Sequence, residues 1–224
     1  DKSKITANKL DYGDGLVGTN DIIEVSGGSE ISIDGSFVGQ SEKNEFCSNL
    51  LVVKDENTKF TCKTLSIGPQ GNGGFGMKVL DGAVATISDA SVFYAGAENC
   101  LIEVRDGAAF NVGCFDWYGS RCHTLVSNAT LKIAYPRFYL GGDNNGVIGH
   151  HNRLTLAGSE TEFTNPMWHT DIFGATSHDN VFEVTAGAKV SPGRSIRIAT
   201  STNNVMRISG SGTEFSMAGL EASS

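Results

Sequence analysis

The chain repeats a short pattern of alternating apolar and polar positions. Residues 180–187 read NVFEVTAG, and related segments begin at residues 21, 49, 75, 100, 152 and 204. Side chains alternate between the two faces of a β-strand, so two positions of each segment point to the same side. Both positions are apolar in every segment, which predicts a stack of strands around a shared core. The two columns are Ile23, Leu51, Met77, Ile102, Leu154, Phe182 and Met206, and Val25, Val53, Val79, Val104, Leu156, Val184 and Ile208.

Two further short strands complete each repeat. One lies in the middle, such as EISI at 30–33, and the next ends in a marker glycine such as Gly39 or Gly68, with Ala199 in the last repeat. Units of roughly 22–33 residues with three short strands each are typical of a solenoid, because one coil cannot bury its own apolar face. We therefore predict an all-β, right-handed parallel β-helix of about eight rungs, a rung being one coil of the chain.

The repeat covers residues 1–224, which we interpret as a single domain. Neither end has an obvious capping segment, and open strand edges recruit other chains. We expect the natural protein to be longer, or to cover its ends by end-to-end or lateral self-association. Alternatively, the polar tails DKSK and EASS are sufficient caps.

An asparagine recurs at the start of several rungs. It comes two residues before the first inward apolar position, so parity turns its side chain toward the core at a corner. There an amide can bond to turn backbone groups and to the asparagine one rung away. We favour this structural role over ligand binding. Phe75 and Cys100 interrupt the ladder, whose members are Asn49, Asn152, Asn180 and Asn204.

The iterated motif N-x-h-x-h-x-x-G-[AS], followed by h-x-h-G (h, apolar), resembles the rungs of right-handed parallel β-helix proteins. Among these it is most similar to the repeat-rich passenger segments of bacterial autotransporter-like surface proteins. The resemblance covers nearly the whole chain, but its motifs specify architecture rather than activity. It implies a secreted or surface-displayed stalk or adhesin. Polysaccharide lyases, glycosidases and phage tailspikes share the same scaffold.

Aromatic residues supply the first candidate ligand site. The residue before each marker glycine is expected to face inward, so the one before that faces outward. This predicts an exposed column of Tyr94, Trp117 and Tyr139, whose flat rings suit sugar faces or a protein partner. Trp168, in the loop 163–171, is a further candidate. Alternatively, the rings form a plain stacking ladder, or that loop covers them.

Histidines supply the second candidate site. The run GGDNNGVIGHHNR at 141–153 brings His150 and His151 into register with His178 and Asp179 of the next rung. Such a group can bind a metal ion or shuttle protons. The alternative, which we favour, is a solvated turn rich in histidine and aspartate. We predict no metal and no cofactor.

Charge and cysteine content narrow the function classes. The chain has 25 acidic and 17 basic residues and a net charge of −8, with the basic residues scattered, which argues against nucleic-acid or anionic-membrane binding. No apolar run is long enough to insert in a bilayer. Lys78–Glu103 and Glu183–Arg207 are expected to pair across rungs. Of the five cysteines, Cys47, Cys62, Cys100, Cys114 and Cys122, the last two either form a disulfide or are buried thiols.

These observations predict an extracellular structural or adhesive module, secreted or on the cell surface, without enzymatic activity of its own. Its expected partner is a polysaccharide or cell-surface glycan. One alternative is a polysaccharide-degrading enzyme, such as a lyase, a glycosidase or a tailspike-type depolymerase. The other alternative is a spacer that binds nothing.

Overall fold

The structure is a computed structural model that describes most of the chain. The described residues form strands and turns, and they include no helix that could cross a membrane. For residues 169–173, 195–199 and 219–223 the backbone is described without side chains. The described residues are 2–12, 20–39, 49–68, 74–93, 97–135, 138–141, 149–165, 169–173, 177–193, 195–199, 202–217 and 219–223.

The strands are short at both ends of the chain and longest in its N-terminal half. In chain order they are β1 (Lys4–Ala7), β2 (Leu10–Tyr12), β3 (Ile22–Val25), β4 (Glu30–Gly39), β5 (Asn49–Val53), β6 (Lys59–Ile67), β7 (Phe75–Val79), β8 (Val84–Phe93), β9 (Leu101–Arg105), β10 (Ala109–Trp117), β11 (His123–Ser127), β12 (Thr130–Ile133), β13 (Phe138–Leu140), β14 (Arg153–Ala157), β15 (Glu162–Thr164), β16 (His169–Phe173), β17 (Val181–Thr185), β18 (Lys189–Ser191), β19 (Ser195–Ala199), β20 (Val205–Ile208), β21 (Glu214–Phe215) and β22 (Gly219–Ser223).

The strands form two parallel sheets that run along the molecule. The smaller sheet has eight strands in the order β20-β17-β14-β11-β9-β7-β5-β3, and the larger has fourteen. Each strand pairs with the equivalent strand of the next rung, so the predicted β-solenoid is confirmed. The rung count differs slightly from the predicted eight. About six turns have a neighbouring turn on each side, because β3 and β20 are the edge strands of the smaller sheet.

The two apolar columns of the smaller sheet form one side of the core. Leu154 pairs with Phe182, and Phe182 with Met206, as the repeat predicts. The irregular rung near residue 123 joins the same columns through Thr124 and Val126. Side chains are buried in the middle of both columns, whereas Ile208, on the edge strand, is 46% exposed.

In the N-terminal half, the second and third predicted strands of a rung merge into one. The strands β4, β6, β8 and β10 each run through the bend, with a register shift where the two predicted strands meet. At the bend of β10 a Cβ on Gly113 would lie 2.0 Å from the carbonyl oxygen of Asp89, so this position admits only glycine.

The predicted exposed column of Tyr94, Trp117 and Tyr139 is wrong. Trp117 pairs with Leu140 and its side chain is 0% exposed, so it faces inward. Tyr139 is half-buried between the buried Phe138 and Leu140, so its outward parity was predicted correctly. The error arose because the glycine after each third strand does not keep a constant distance from the bend, so aligning the glycines shifted the parity. Tyr94 and Trp168 lie outside the described residues.

Trp117 instead belongs to an aromatic cluster inside the solenoid. Its ring centroid lies 5.5 Å from that of Phe93, 5.2 Å from Phe115 and 6.5 Å from Phe138. These four residues come from β8, β10 and β13, so the cluster ties neighbouring rungs together. Its role is to fill the core.

Candidate functional site

The corner that leads into the smaller sheet carries the asparagines. The Asn152 Oδ1 accepts the backbone N–H of Cys122 at 2.9 Å, and its Nδ2 donates to the Gly119 carbonyl at 2.8 Å. The Asn180 Oδ1 accepts the N–H of Asn152 at 2.9 Å, and the Asn204 Oδ1 accepts the N–H of Asn180 at 2.9 Å. Each amide therefore bonds to the backbone of the preceding rung, at positions that are almost fully buried for Asn152 and Asn180.

On six of the rungs that the structure describes, a non-glycine residue with a left-handed backbone precedes the ladder position. In non-glycine residues this conformation is uncommon, and asparagine, aspartate and histidine adopt it most readily. The repeated conformation holds the chain in the same sharp corner on successive rungs. The residues and their φ angles are Asn20 (68°), Asn99 (56°), Arg121 (55°), His151 (56°), Asp179 (56°) and Asn203 (59°).

The histidine group predicted from register comes together at this corner. His150 and His178 are paired across adjacent rungs, and their rings stack with centroids 4.8 Å apart and an angle of 16° between the planes. The ring of His151 stands edge-on to that of His178 at 5.9 Å. The Nδ1 of His178 donates to Oδ2 of Asp179 at 2.8 Å. Nδ1 of His150 lies 3.0 Å from the Ser120 hydroxyl.

The electrostatics of the corner favour neutral His150 and ionised Asp179. Burial, followed by the neighbouring His178 and His151, lowers the pKa of His150. The hydrogen bond from His178 lowers the pKa of the Asp179 carboxyl. His150 thus offers a neutral imidazole and Asp179 a carboxylate near neutral pH.

Two cysteines occupy the same inner corner, where the asparagine ladder is interrupted. Cys100 and Cys122 are buried free thiols on adjacent rungs, and each donates to a carbonyl of its own corner. Burial raises the pKa of the Cys122 thiol. Cys114, in β10, and Cys122 are not joined by a disulfide, so the buried-thiol alternative holds for Cys122. Cys47 lies outside the described residues.

A groove with both apolar and polar lining runs along the larger sheet, parallel to the solenoid axis. Cavities of about 290, 370 and 220 Å³ follow one another there, the first two sharing Thr86 and the last two sharing Thr164. The strand spacing of about 4.8 Å gives the row of side chains beside these cavities a length of about 29 Å. The row pairs strand by strand and consists of Ser32, Thr61, Thr86, Asn111, Lys132, Thr164 and Ser191.

Tyr135 lies against Gly113, a lining residue of the largest of these cavities. Its ring lies over the backbone of Gly113, and its Cε2 is 2.8 Å from the position that a Cβ added to Gly113 would occupy. The side chain of Tyr135 is 47% exposed. The sequence pattern predicted neither this tyrosine nor the groove. The available signal was the polar residue between two apolar ones in most middle strands, as in Phe110–Asn111–Val112.

Comparison with known proteins gives no match to a family model, to a curated protein or to a solved structure. The assignment of the fold therefore rests on the structure alone. The resemblance to autotransporter-like passenger segments remains a prediction from the repeat motif.

Proposed function

We propose that this protein is an extracellular structural and adhesive module that binds an extended polysaccharide along the groove of its larger sheet. The observation that carries the proposal is the continuous row of hydroxyl, amide and ammonium groups beside three successive cavities. Sugar polymers are rich in hydroxyl groups that pair with such side chains. A rigid sheet repeats these contacts at a regular interval, which suits a polymer better than a small ligand.

The largest cavity has the composition expected of a binding site rather than a catalytic one. Its described lining includes Asn111, Lys132 and three hydroxyl side chains, together with apolar atoms from the bend. Neither a carboxylate nor an imidazole is among these lining residues, whereas glycoside hydrolysis generally uses a pair of carboxyl groups. The exposed ring of Tyr135 offers an apolar face on which a sugar can pack.

The test is a binding assay on immobilised neutral and acidic polysaccharides. We expect Tyr135→Ala and Lys132→Gln each to weaken retention about tenfold or more, since each removes a contact worth about 1.5 kcal/mol or more. Lys54→Gln is the matched control, because Lys54 pairs with Glu24 beside the smaller sheet, away from the groove. This control should bind like the unmodified protein.

Two results contradict the proposal. Equal binding by Tyr135→Ala, Lys132→Gln and the unmodified protein removes the groove as the binding surface. Release of new reducing or unsaturated chain ends during incubation shows that the protein is a polysaccharide-degrading enzyme instead.

A further inference from the structure

Three metal-binding side chains converge at the corner before β14 and β17, on a surface other than the groove. One ligand atom each from His151, His178 and Asp179 lies within 4.8 Å of the others. Within the part of the chain that the structure describes, no other group of three or more histidine, cysteine or acidic residues has this spacing. Zinc bonds of about 2.0–2.1 Å place tetrahedral ligand atoms roughly 3.4 Å apart. Small side-chain rotations therefore bring these atoms to coordination distance.

The backbone beneath the group is well held. The N–H of His151 donates to the His178 carbonyl at 3.3 Å, and the N–H of Asp179 donates to the Thr202 carbonyl at 3.1 Å. The next residues, Asn152 and Asn180, are the buried members of the asparagine ladder. Supporting contacts of this kind pre-orient ligands and strengthen metal sites.

The side chains are also oriented before any ion binds. His150 stacks on the His178 ring and is itself placed by the Ser120 hydroxyl. The bond from His178 to Asp179 keeps those two side chains together. His151 is exposed, so an ion can reach the group from solvent.

Two imidazoles and one carboxylate define the class of ion. Imidazole suits zinc, copper, nickel and iron, whereas calcium and magnesium prefer sites made of oxygen ligands. We propose that His151, His178 and Asp179 bind one divalent first-row transition metal ion, with Zn²⁺ as its test ligand. Three protein ligands leave further coordination positions open for water or for a donor from a partner molecule.

The ion joins two successive rungs, because His151 precedes β14 while His178 and Asp179 precede β17. Binding to the folded chain stabilises it by mass action. We therefore expect Zn²⁺ to raise the thermal midpoint of unfolding, and a chelator to reverse the rise.

The experiment is isothermal titration of the metal-free, untagged protein with zinc chloride, with calcium chloride in a parallel titration. We expect one Zn²⁺ per chain and no measurable heat from Ca²⁺. The variants His151→Asn and Asp179→Asn each remove a ligand and keep a residue that suits the corner, since Asn99 and Asn203 hold the same backbone conformation on other rungs. Each should weaken Zn²⁺ binding by about 10–100-fold, and the double variant should abolish it.

His123→Gln is the control, because this histidine lies on β11 with Nε2 3.4 Å from the Thr155 hydroxyl and is not one of the three clustered ligands. It should bind Zn²⁺ like the unmodified protein. Circular dichroism of every variant verifies that the solenoid is intact. The proposal is overturned if the unmodified protein takes up no Zn²⁺, if the double variant binds as tightly as the unmodified protein, or if His123→Gln loses the ion.

Discussion

Asparagine serves two different positions of the same corner, each for its own physical reason. At the inner position the side chain bonds to the backbone of an adjacent rung, as Asn152 does with Cys122. At the preceding position a left-handed backbone favours asparagine, aspartate or histidine, as at Asn203 and His151. The sequence predicted the inner position by parity. The left-handed backbone at the preceding position was not predicted, because this conformation produces no recurring pattern of apolar residues in the sequence.

Asn180→Ala tests the inner position. The amide is fully buried, accepts from Asn152 and donates to the Gly149 carbonyl at 3.3 Å, so its loss leaves buried backbone groups unpaired. We expect the free energy of unfolding to fall by roughly 1–3 kcal/mol in urea titrations. Asn8→Ala, at an exposed position, should change it little. A change near zero for Asn180→Ala contradicts the assigned role.

Thr124→Val should stabilise the protein. The Thr124 hydroxyl is buried in the apolar column between Ile102 and Leu154 and has no hydrogen-bond partner among the described atoms. Replacing it by a methyl group of similar size removes an unpaired polar atom, which is worth about 1 kcal/mol in the free energy of unfolding.

Thr161→Val is the matched comparison, with the opposite sign. This buried hydroxyl accepts from the Asn128 N–H at 2.7 Å and donates to the Ala157 carbonyl. We expect a loss of roughly 1–3 kcal/mol. If both valine variants shift the unfolding midpoint in the same direction, the environment assigned to Thr124 is wrong.

The inward and outward faces of the strands were predicted better for the smaller sheet than for the larger one. In the smaller sheet a fixed five-residue pattern sits between two tight corners, so parity carried over from rung to rung and the columns were predicted correctly. In the larger sheet the glycine after the third strand does not keep a constant distance from the strand. Trp117 pairs with Leu140, yet Trp117 lies two residues before its marker glycine and Leu140 only one. Aligning the glycines therefore reversed the parity, and Trp117 was assigned to the wrong face.

Trp117→Ala measures what the aromatic cluster contributes to these strands. Because the ring is fully buried against Phe93, Phe115 and Phe138, its removal leaves a large cavity. We expect the free energy of unfolding to fall by about 3–5 kcal/mol in chemical denaturation. Tyr135→Ala, at the surface, should cost much less. If Trp117→Ala lowers the free energy of unfolding by less than Tyr135→Ala does, the buried position of Trp117 is contradicted.

Glu183 links three adjacent strands of the smaller sheet. It accepts from Arg153 of β14 and from Arg207 of β20, the latter at 3.0 Å, and these hydrogen bonds lower its pKa, with Arg153 the larger cause. The predicted pairs Glu183–Arg207 and Lys78–Glu103 are both present.

A depressed carboxyl pKa makes stability depend on pH. The contribution of Glu183 is complete above the unfolded-state pKa of about 4.3 and is lost as pH falls through the lower folded-state pKa. In urea titrations from pH 7 downward, Glu183→Gln should therefore lose less stability on acidification than the unmodified protein. Glu160→Gln, at an exposed turn, should follow the unmodified protein. An identical acid dependence for Glu183→Gln contradicts the linkage.

At the scale of the whole molecule, stacking places equivalent residues of successive rungs side by side, so a residue type that recurs in each rung forms a continuous row. One residue type per rung becomes the asparagine ladder, one polar position per rung becomes the groove, and two histidine-containing corners become the proposed metal site. The fold class was predictable because the period is written into the sequence. The polar row beside the groove also left a signal in the sequence, but the groove itself did not, since its depth depends on how the bend shapes the surface between strands.

The central claim is that equivalent residues of successive rungs lie directly on one another around a shared apolar core. A methyl- and aromatic-resolved nuclear Overhauser spectrum measures this directly. The account predicts cross-peaks between Leu154 and Phe182 and between Phe182 and Met206, which pair on adjacent strands. No direct cross-peak should join Leu154 to Met206, two rungs or about 9.6 Å apart. Missing adjacent-rung cross-peaks, or strong ones between rungs that are not neighbours, would contradict the solenoid.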